Sequence, residues 1–297
     1  MSPAATSVRT RQLIERGALV ALIGIAVVGV VGAALVALYI NRIADGASAL
    51  RHSETLPDYV GRPVSATSPD GSSAMNVLIA ITHDGGLEAV VLANLSANRR
   101  NLTLIAVPAG LQVSADAEHT LASSFAADPM MTVRAVENLT ANRVDHLIQV
   151  DLGGFSGVVD AVGGVQLDGE HLDGSGAVAA VQASDAPSTT AAALLRATLV
   201  SAEPSLGMPA LAVPVQAIRA ASHCTEIDAG LTSEVIGQTL MASSVRAGEI
   251  RIWPLATRLD GGVVVADGAA IDALAAALAE PNLTSTAAYG ADAFLPR

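Results

Sequence analysis

Hydrophobic and polar positions fall into three regimes along this chain. Residues 17–40 (GALVALIGIAVVGVVGAALVALYI) form a run of twenty-four residues without a charge. A helix rising ~1.5 Å per residue needs about 20 such residues to cross a bilayer core, so the run predicts one transmembrane helix. Residues 41–74 are more polar and carry Pro57, Pro63 and Pro69. Proline restricts its own backbone and that of the residue before it, which predicts an extended linker that does not pack. From Met75 onward, apolar runs of strand length alternate with helical stripes.

Residues 75–81 (MNVLIAI), 88–95 (EAVVLANL) and 102–107 (LTLIAV) read as buried strands. The short polar stretch 96–100 predicts that the last two pair antiparallel. A helix is expected over 129–139, opening on Pro129, where a missing N–H costs nothing. Residues 147–152 suit another strand. Phe155, Val158, Val159 and Val162 recur at helical spacing, Gly163-Gly164 ends that helix, and 165–167 is a short strand. Ala191, Leu194, Leu195, Thr198 and Leu199 mark a helix after Pro187. Thr232 is placed to cap a helix, with Leu231 and Ile236 as a hydrophobic staple. Residues 249–254 alternate like a strand, Gly261-Gly262 turns the chain into 263–265, and Ile271, Leu274 and Leu278 share one face of a last helix behind Asp267. The predicted class is α/β: a mixed central β-sheet flanked by helices, preceded by one N-terminal transmembrane helix. The expected divisions are a cytoplasmic tail 1–16, the span 17–40, the linker 41–74, an extracytoplasmic domain 75–280 and a tail 281–297.

Charge orients this picture. Arg9, Arg11 and Arg16 precede the apolar run against the single acid Glu15, and only Arg42 and Asp45 closely follow it. Positive charge stays on the cytoplasmic side, so the N-terminus is expected inside and the bulk of the chain outside, in a single-pass cell-membrane protein. A cleaved signal peptide is the alternative, with Ala47-Ser48-Ala49 as its cleavage site, although a signal core runs only about 7–15 residues. Both readings export the domain. The net charge of −12 leaves no basic stripe for a phosphate backbone, which argues against nucleic acid as a partner. Cys224 is the only cysteine, so no intrachain disulfide forms. No CxxC or HExxH pattern points to zinc.

The stretch 138–169 carries the most specific pattern. Val144-Asp145-His146, Val150-Asp151, Gly154-Phe155 and the block Val159-Asp160-Ala161-Val162-Gly163-Gly164-Val165 follow one another in the order and spacing of the LytR-CpsA-Psr family of envelope proteins, which the chain closely resembles. The strand at 75–81, Ala106-Val107-Pro108 in place of the family's Ser-Ile-Pro, and Leu172-Asp173-Gly174 through Ala177-Val178 extend the resemblance over about 75–280. It implies a domain that moves glycopolymer from an undecaprenyl-pyrophosphate carrier onto peptidoglycan. The prenyl tail would lie in an apolar pocket near Phe155 and Val159, with arginines on the pyrophosphate and aspartates on a Mg²⁺. Bidentate guanidinium groups suit that anion, and phosphoryl transfer depends on neutralising its charge.

Most of that equipment is absent. Where the family has Ser-Ile-Pro-Arg-Asp, this chain has Ala106-Val107-Pro108-Ala109-Gly110. The family's Arg-x-Asp on the second strand is Gly86-Leu87-Glu88. Its Arg-x-Arg after the Ala-Leu helix start is Gln182-Ala183-Ser184, and its first acid falls at His83, beside Asp84. Removing one charge-stabilising donor costs about 10²–10³ in rate. The expectation is therefore a membrane-anchored protein with degenerate catalytic positions at Ala109, Gly110, Gln182 and Ser184, which needs no cofactor and binds a polyprenyl lipid or another envelope protein, such as an active paralogue. The alternative is an active Mg²⁺-dependent phosphotransferase in which Asp84 and Glu88 share the metal and Arg99, Arg100 or Arg196 reach the anion. A transcription-regulating role fits neither the acidic domain nor its side of the membrane.

Overall fold

The near-continuous apolar runs form the middle of a seven-stranded sheet. The computed structural model describes residues 51–114, 119–202, 220, 225–232, 234–235 and 244–283. The predicted span 17–40, the tail before it, linker residues 41–50, Cys224, Ile236 and the tail from 284 lie outside the described residues. Among the described residues no helix is long and apolar enough to cross a membrane.

The strands of the main sheet are β1 (Arg51–Ser53), β2 (Met75–His83), β3 (Gly86–Leu95), β4 (Leu102–Val107), β5 (His146–Asp151), β8 (Thr225–Asp228) and β9 (Ile250–Pro254). Their order is β1-β8-β5-β2-β3-β4-β9. β2–β3, β3–β4 and β5–β8 are antiparallel, whereas β1–β8, β2–β5 and β4–β9 are parallel. The sheet is thus mixed, as expected. Two small ribbons stand outside it: β6 (Val165–Leu167) with β7 (Glu170–Leu172), and β10 (Thr257–Asp260) with β11 (Val263–Ala266).

Both faces of the sheet are covered, which is why its strands read as continuous apolar runs rather than alternating ones. On one face lie α1 (Leu121–Ala127), α2 (Pro129–Thr140) and α6 (Gly268–Leu278), packing Leu121, Phe125, Val133, Val136, Leu274 and Leu278 onto Leu78, Leu92 and Ile105. On the other lie α3 (Leu152–Ala161), α4 (Gly174–Gln182) and α5 (Pro187–Ala202), packing Phe155, Val159, Ala177, Val181 and Leu194 onto Ile81, Val91 and Leu104. α1 was not expected from the periodicity. It is short, and a capping box between Thr120 and Ser123 fixes its start. Leu152, expected at the end of a strand, instead opens α3, because the Asp151 carboxylate accepts from the Gly153 N–H and caps the helix. The Thr232 Oγ1 accepts from the Val235 N–H at 3.3 Å, and the helix it was expected to cap falls mostly outside the described residues.

The expectation of an unpacked linker is corrected over 51–74. β1 adds to the sheet edge, and Leu56 is buried in the core. The Arg62 Nε donates to Glu137 Oε1 at 2.9 Å, with both side chains almost wholly buried. Its Nη2 donates to the Val144 carbonyl, while the Tyr59 hydroxyl and the Val144 N–H also donate to the Glu137 carboxylate. The prolines keep this segment extended, but an extended chain can still lie along a helix, and one buried ion pair fastens it to α2.

Close approach of α3 and α4 needs a glycine. The Gly174 N–H donates to Asp160 Oδ1 at 2.6 Å, and a Cβ at Gly174 would collide with the Ser156 carbonyl. Asp160 therefore anchors the start of α4. At the far margin of the sheet, the Arg196 Nε of α5 donates to the Ile250 carbonyl of β9 at 3.1 Å, and β9 ends on Pro254.

Candidate functional site

Ligands of open α/β sheets bind beyond the carboxyl ends of the strands. Here that end is built by the β2–β3 turn, the segment after β4, the C-terminus of α4 and the first turn of α5. β2 and β3 are joined by Asp84-Gly85 alone: His83 pairs with Gly86, and both turn residues have positive φ (+48° and +78°). This is the Asp-Gly turn whose twist matches that of a hairpin. A register shift follows, with Ile81 opposite Ala89 and Thr82 opposite Leu87, so Glu88 is the extra residue of a bulge.

α5 is fastened to this end by Ser188, whose hydroxyl donates to the Val107 carbonyl at 2.7 Å and accepts from the Val90 N–H at 3.0 Å. That buried serine was not singled out in the sequence; its one signal there is its place directly after the helix-opening Pro187. The contact brings the start of α5 to the ends of β3 and β4. The Gln182 amide donates to His83 Nε2 at 2.8 Å, joining positions 99 residues apart. Ser184 Oγ and Thr190 Oγ1 share a hydrogen bond at 2.7 Å, and the Ala186 N–H donates to Ser184 Oγ. Ala109 and Gly110 form the turn after β4, with the Ala122 N–H on the Ala109 carbonyl. A Cβ at Gly110 would meet nothing within 4 Å, so sterics do not exclude a larger side chain there.

The four degenerate positions thus lie at the end of the sheet where the resemblance would put an anion, and their side chains are uncharged. The charged groups at this end include Asp84, Glu88 and Asp185, with His83 Nε2 3.6 Å from Asp84 Oδ2, and Arg258 on the β10–β11 ribbon, whose Val264 bridges Leu111.

Two of the three arginines named in the sequence are elsewhere, and the third, Arg196, lines a cavity with Ser184. Arg99 and Arg100 sit in the turn after β3, at the opposite end of the sheet, since Leu95 pairs with Met75 at the start of β2. Nine residues of strand, at ~3.3 Å each, separate the two ends by roughly 27 Å. Arg99 folds back onto the Ser96 carbonyl, and partial burial lowers its pKa while the Asp145 charge opposes that shift. Arg196 lies two turns along α5, tied to Ile250. Asp84 lies on the hairpin turn, its carboxylate 92% exposed, and Glu88 lies in the bulge that follows. Among the described residues no group of three or more His, Cys, Asp or Glu side chains could hold a metal. A Mg²⁺ held by one or two carboxylates completes its octahedral shell with water and substrate phosphate.

Phe155 and Val159 are buried in the core beneath α3. A cavity of about 780 Å³ lies instead along the outer side of α5, walled by Leu167, Ala193, Ala197, Val200, Ile252 and Pro254, with Ser184, Thr190 and Arg196 among its polar groups. Its small alanines carried no signal in the sequence beyond helix formation.

Residues 82–173, which span the hairpin, β5, α3 and the start of α4, match the model of the LytR_cpsA_psr family. Over those residues the chain carries a LytR-CpsA-Psr domain. Solved structures share the fold of its domain. The LytR-Csp2A-Psr enzyme from Actinomyces oris aligns at 18% identity over 79% of this chain and 96% of its own, with a TM-score of 0.61. TagT bound to LIIa-WTA aligns at 15% over 76% and 98% (TM-score 0.57), and B. subtilis TagV at 15% over 69% and 95% (TM-score 0.53). No curated protein matches the chain. This likeness associates the domain with the cell envelope.

Proposed function

We propose that this LytR-CpsA-Psr protein is anchored by residues 17–40 with its N-terminus inside, and that it holds a polyprenyl lipid or an active paralogue without transferring phosphate. One observation carries the reading: Ala109, Gly110, Gln182 and Ser184 gather at the carboxyl end of the sheet with no guanidinium among them. Arg99 and Arg100 stand at the other end, and the Arg196 Nε is committed to Ile250. The acids Asp84, Glu88 and Asp185 stand at that end. Like charge at short range disfavours a diphosphate. The cavity along α5 supports the lipid half of the reading, since about 780 Å³ lies within the roughly 300–1,000 Å³ typical of ligand pockets and its walls are mainly apolar.

The test uses the full chain in lipid nanodiscs with a polyprenyl-diphosphate glycan and Mg²⁺. Glycan transfer and phosphate release are expected at the level of empty nanodiscs, while native mass spectrometry detects a bound prenyl lipid or co-purified paralogue. Turnover that vanishes in Asp84→Ala/Glu88→Ala would overturn the proposal in favour of a metal-dependent transferase.

A further inference from the structure

Among the described residues, five large apolar side chains are markedly exposed, and three of them lie on the 59–64 segment and the helix to which it is fastened: Val60 at 104%, Val64 at 81% and Met131 at 47%. The patch is rigidly held. The Arg62 N–H donates to the Tyr59 carbonyl at 3.1 Å and Gly61 has φ +84°, so residues 59–62 form a tight turn with Val60 at its tip. The Arg134 guanidinium stacks on the Tyr59 ring, 4.8 Å from its centroid, and Met131 lies one turn away on the same face of α2. The Arg62–Glu137 pair pins the turn from beneath, and Ser65 Oγ donates to Asp145 Oδ1 just after Val64.

The charges around the patch nearly cancel. Glu137 is neutralised by Arg62; Asp145 is bonded by Ser65 and the Asn76 N–H and lies 3.7 Å from Arg143. Asp58, Asp128 and Arg134 are exposed. In a chain of net charge −12, this region carries little net charge, and an anionic surface repels it only weakly.

We infer that this patch seats the domain on the interfacial layer of the lipid bilayer, with Val60 and Val64 dipping among the headgroups. Three features select lipid over a protein partner. The tip is convex, with open space around Gly61, and an apolar knob of this kind enters a fluid phase without needing a matching pocket. Tyrosine and arginine beside exposed aliphatics are the residues that anchor proteins at membrane interfaces. The patch also belongs to the segment nearest the predicted span: eleven residues from Ile40 to Arg51 reach no more than about 40 Å when fully extended. The seat rests on the anchored reading of residues 17–40 and adds to it a fixed orientation of the domain.

The experiment places tryptophan at Val60 or Val64 in the full chain, reconstituted in phosphatidylglycerol–phosphatidylethanolamine nanodiscs. Trp253, the native tryptophan, is buried and contributes a constant background. Emission from V60W and V64W is expected to shift to shorter wavelength and to be quenched by lipids brominated high on the acyl chain. L259W, on the exposed β10 ribbon, is expected to emit as in water and to escape quenching. Water-like, unquenched emission from both reporters overturns the seat while leaving the anchor standing. A blue shift without bromolipid quenching, accompanied by a doubled mass, overturns it in favour of a protein interface. Failure of the full chain to incorporate into nanodiscs removes the anchor and the seat together.

Discussion

Two regions of this domain treat arginine in opposite ways. At the corner where the chain enters the domain, Arg62 is buried to 3% exposure and meets a fully buried Glu137, with Tyr59 and the Val144 N–H completing the carboxylate's partners. At the carboxyl end of the sheet, the positions we propose to have lost anion-binding arginines hold Ala109, Gln182 and Ser184. Every basic residue of the chain is an arginine, so the composition does not disfavour the residue. The fold keeps guanidinium where removing it would strand a buried acid, and does without it where only an anionic ligand would need it. The contrast separates a structural charge from a ligand-binding one.

The corner is the easier half to break. Arg62→Ala leaves Glu137 buried and unpaired, and breaking such a pair costs about 3–5 kcal/mol; urea denaturation of the domain is expected to show a loss of that order. A paired replacement, Arg62→Met with Glu137→Leu, is expected to recover most of it, because a well-packed apolar pair often matches a buried ion pair. If the double variant were as unstable as the single one, the corner would depend on hydrogen bonds to Tyr59 and Val144 rather than on charge.

The carboxyl end is the half to sharpen. Ala109→Arg with Gln182→Arg introduces two guanidinium groups, one at a half-buried and one at an exposed position. Calorimetry with a short prenyl diphosphate is expected to show at least a roughly tenfold gain in affinity, about 1.4 kcal/mol, with little change in stability. No gain would mean that the acids Asp84, Glu88 and Asp185 dominate the local field.

The smallest effect comes from Tyr59, whose pKa is pushed up to about 12, first by burial and then by its hydrogen bond to Glu137. The folded state holds the phenolic proton more tightly than the unfolded chain does. Its contribution to stability is therefore complete below the ordinary tyrosine value of about 10 and is lost as pH rises from there toward 12. Tyr59→Phe is expected to flatten the urea midpoint across that window.

How much of this was legible beforehand depended on sequence distance. The strands around residue 78, the Asp84-Gly85 turn and the helices opened by Pro129 and Pro187 are set by neighbours a few residues apart, and the pattern of the chain exposed them. Residues 51–74 were misread because their fastening is non-local: Arg62 meets Glu137 across 75 residues, and no period records such a pairing. α1 was missed because its seven residues offer only Leu121 and Phe125 as a stripe. At the candidate site, the stripped positions were visible only through the family resemblance, since nothing local links Gln182 to His83. The inaccessibility of Arg99 and Arg100 follows from the length of β2, which required the register to be known.

The margins of the sheet carry one last implication. β1 is three residues long, and at the opposite border β9 turns the Ile250 carbonyl to Arg196 and finishes on a proline that lacks an N–H. Among the described residues both borders are short or interrupted, which disfavours extension by a foreign strand. Copies of the domain crowded together should therefore resist knitting into fibres along these borders.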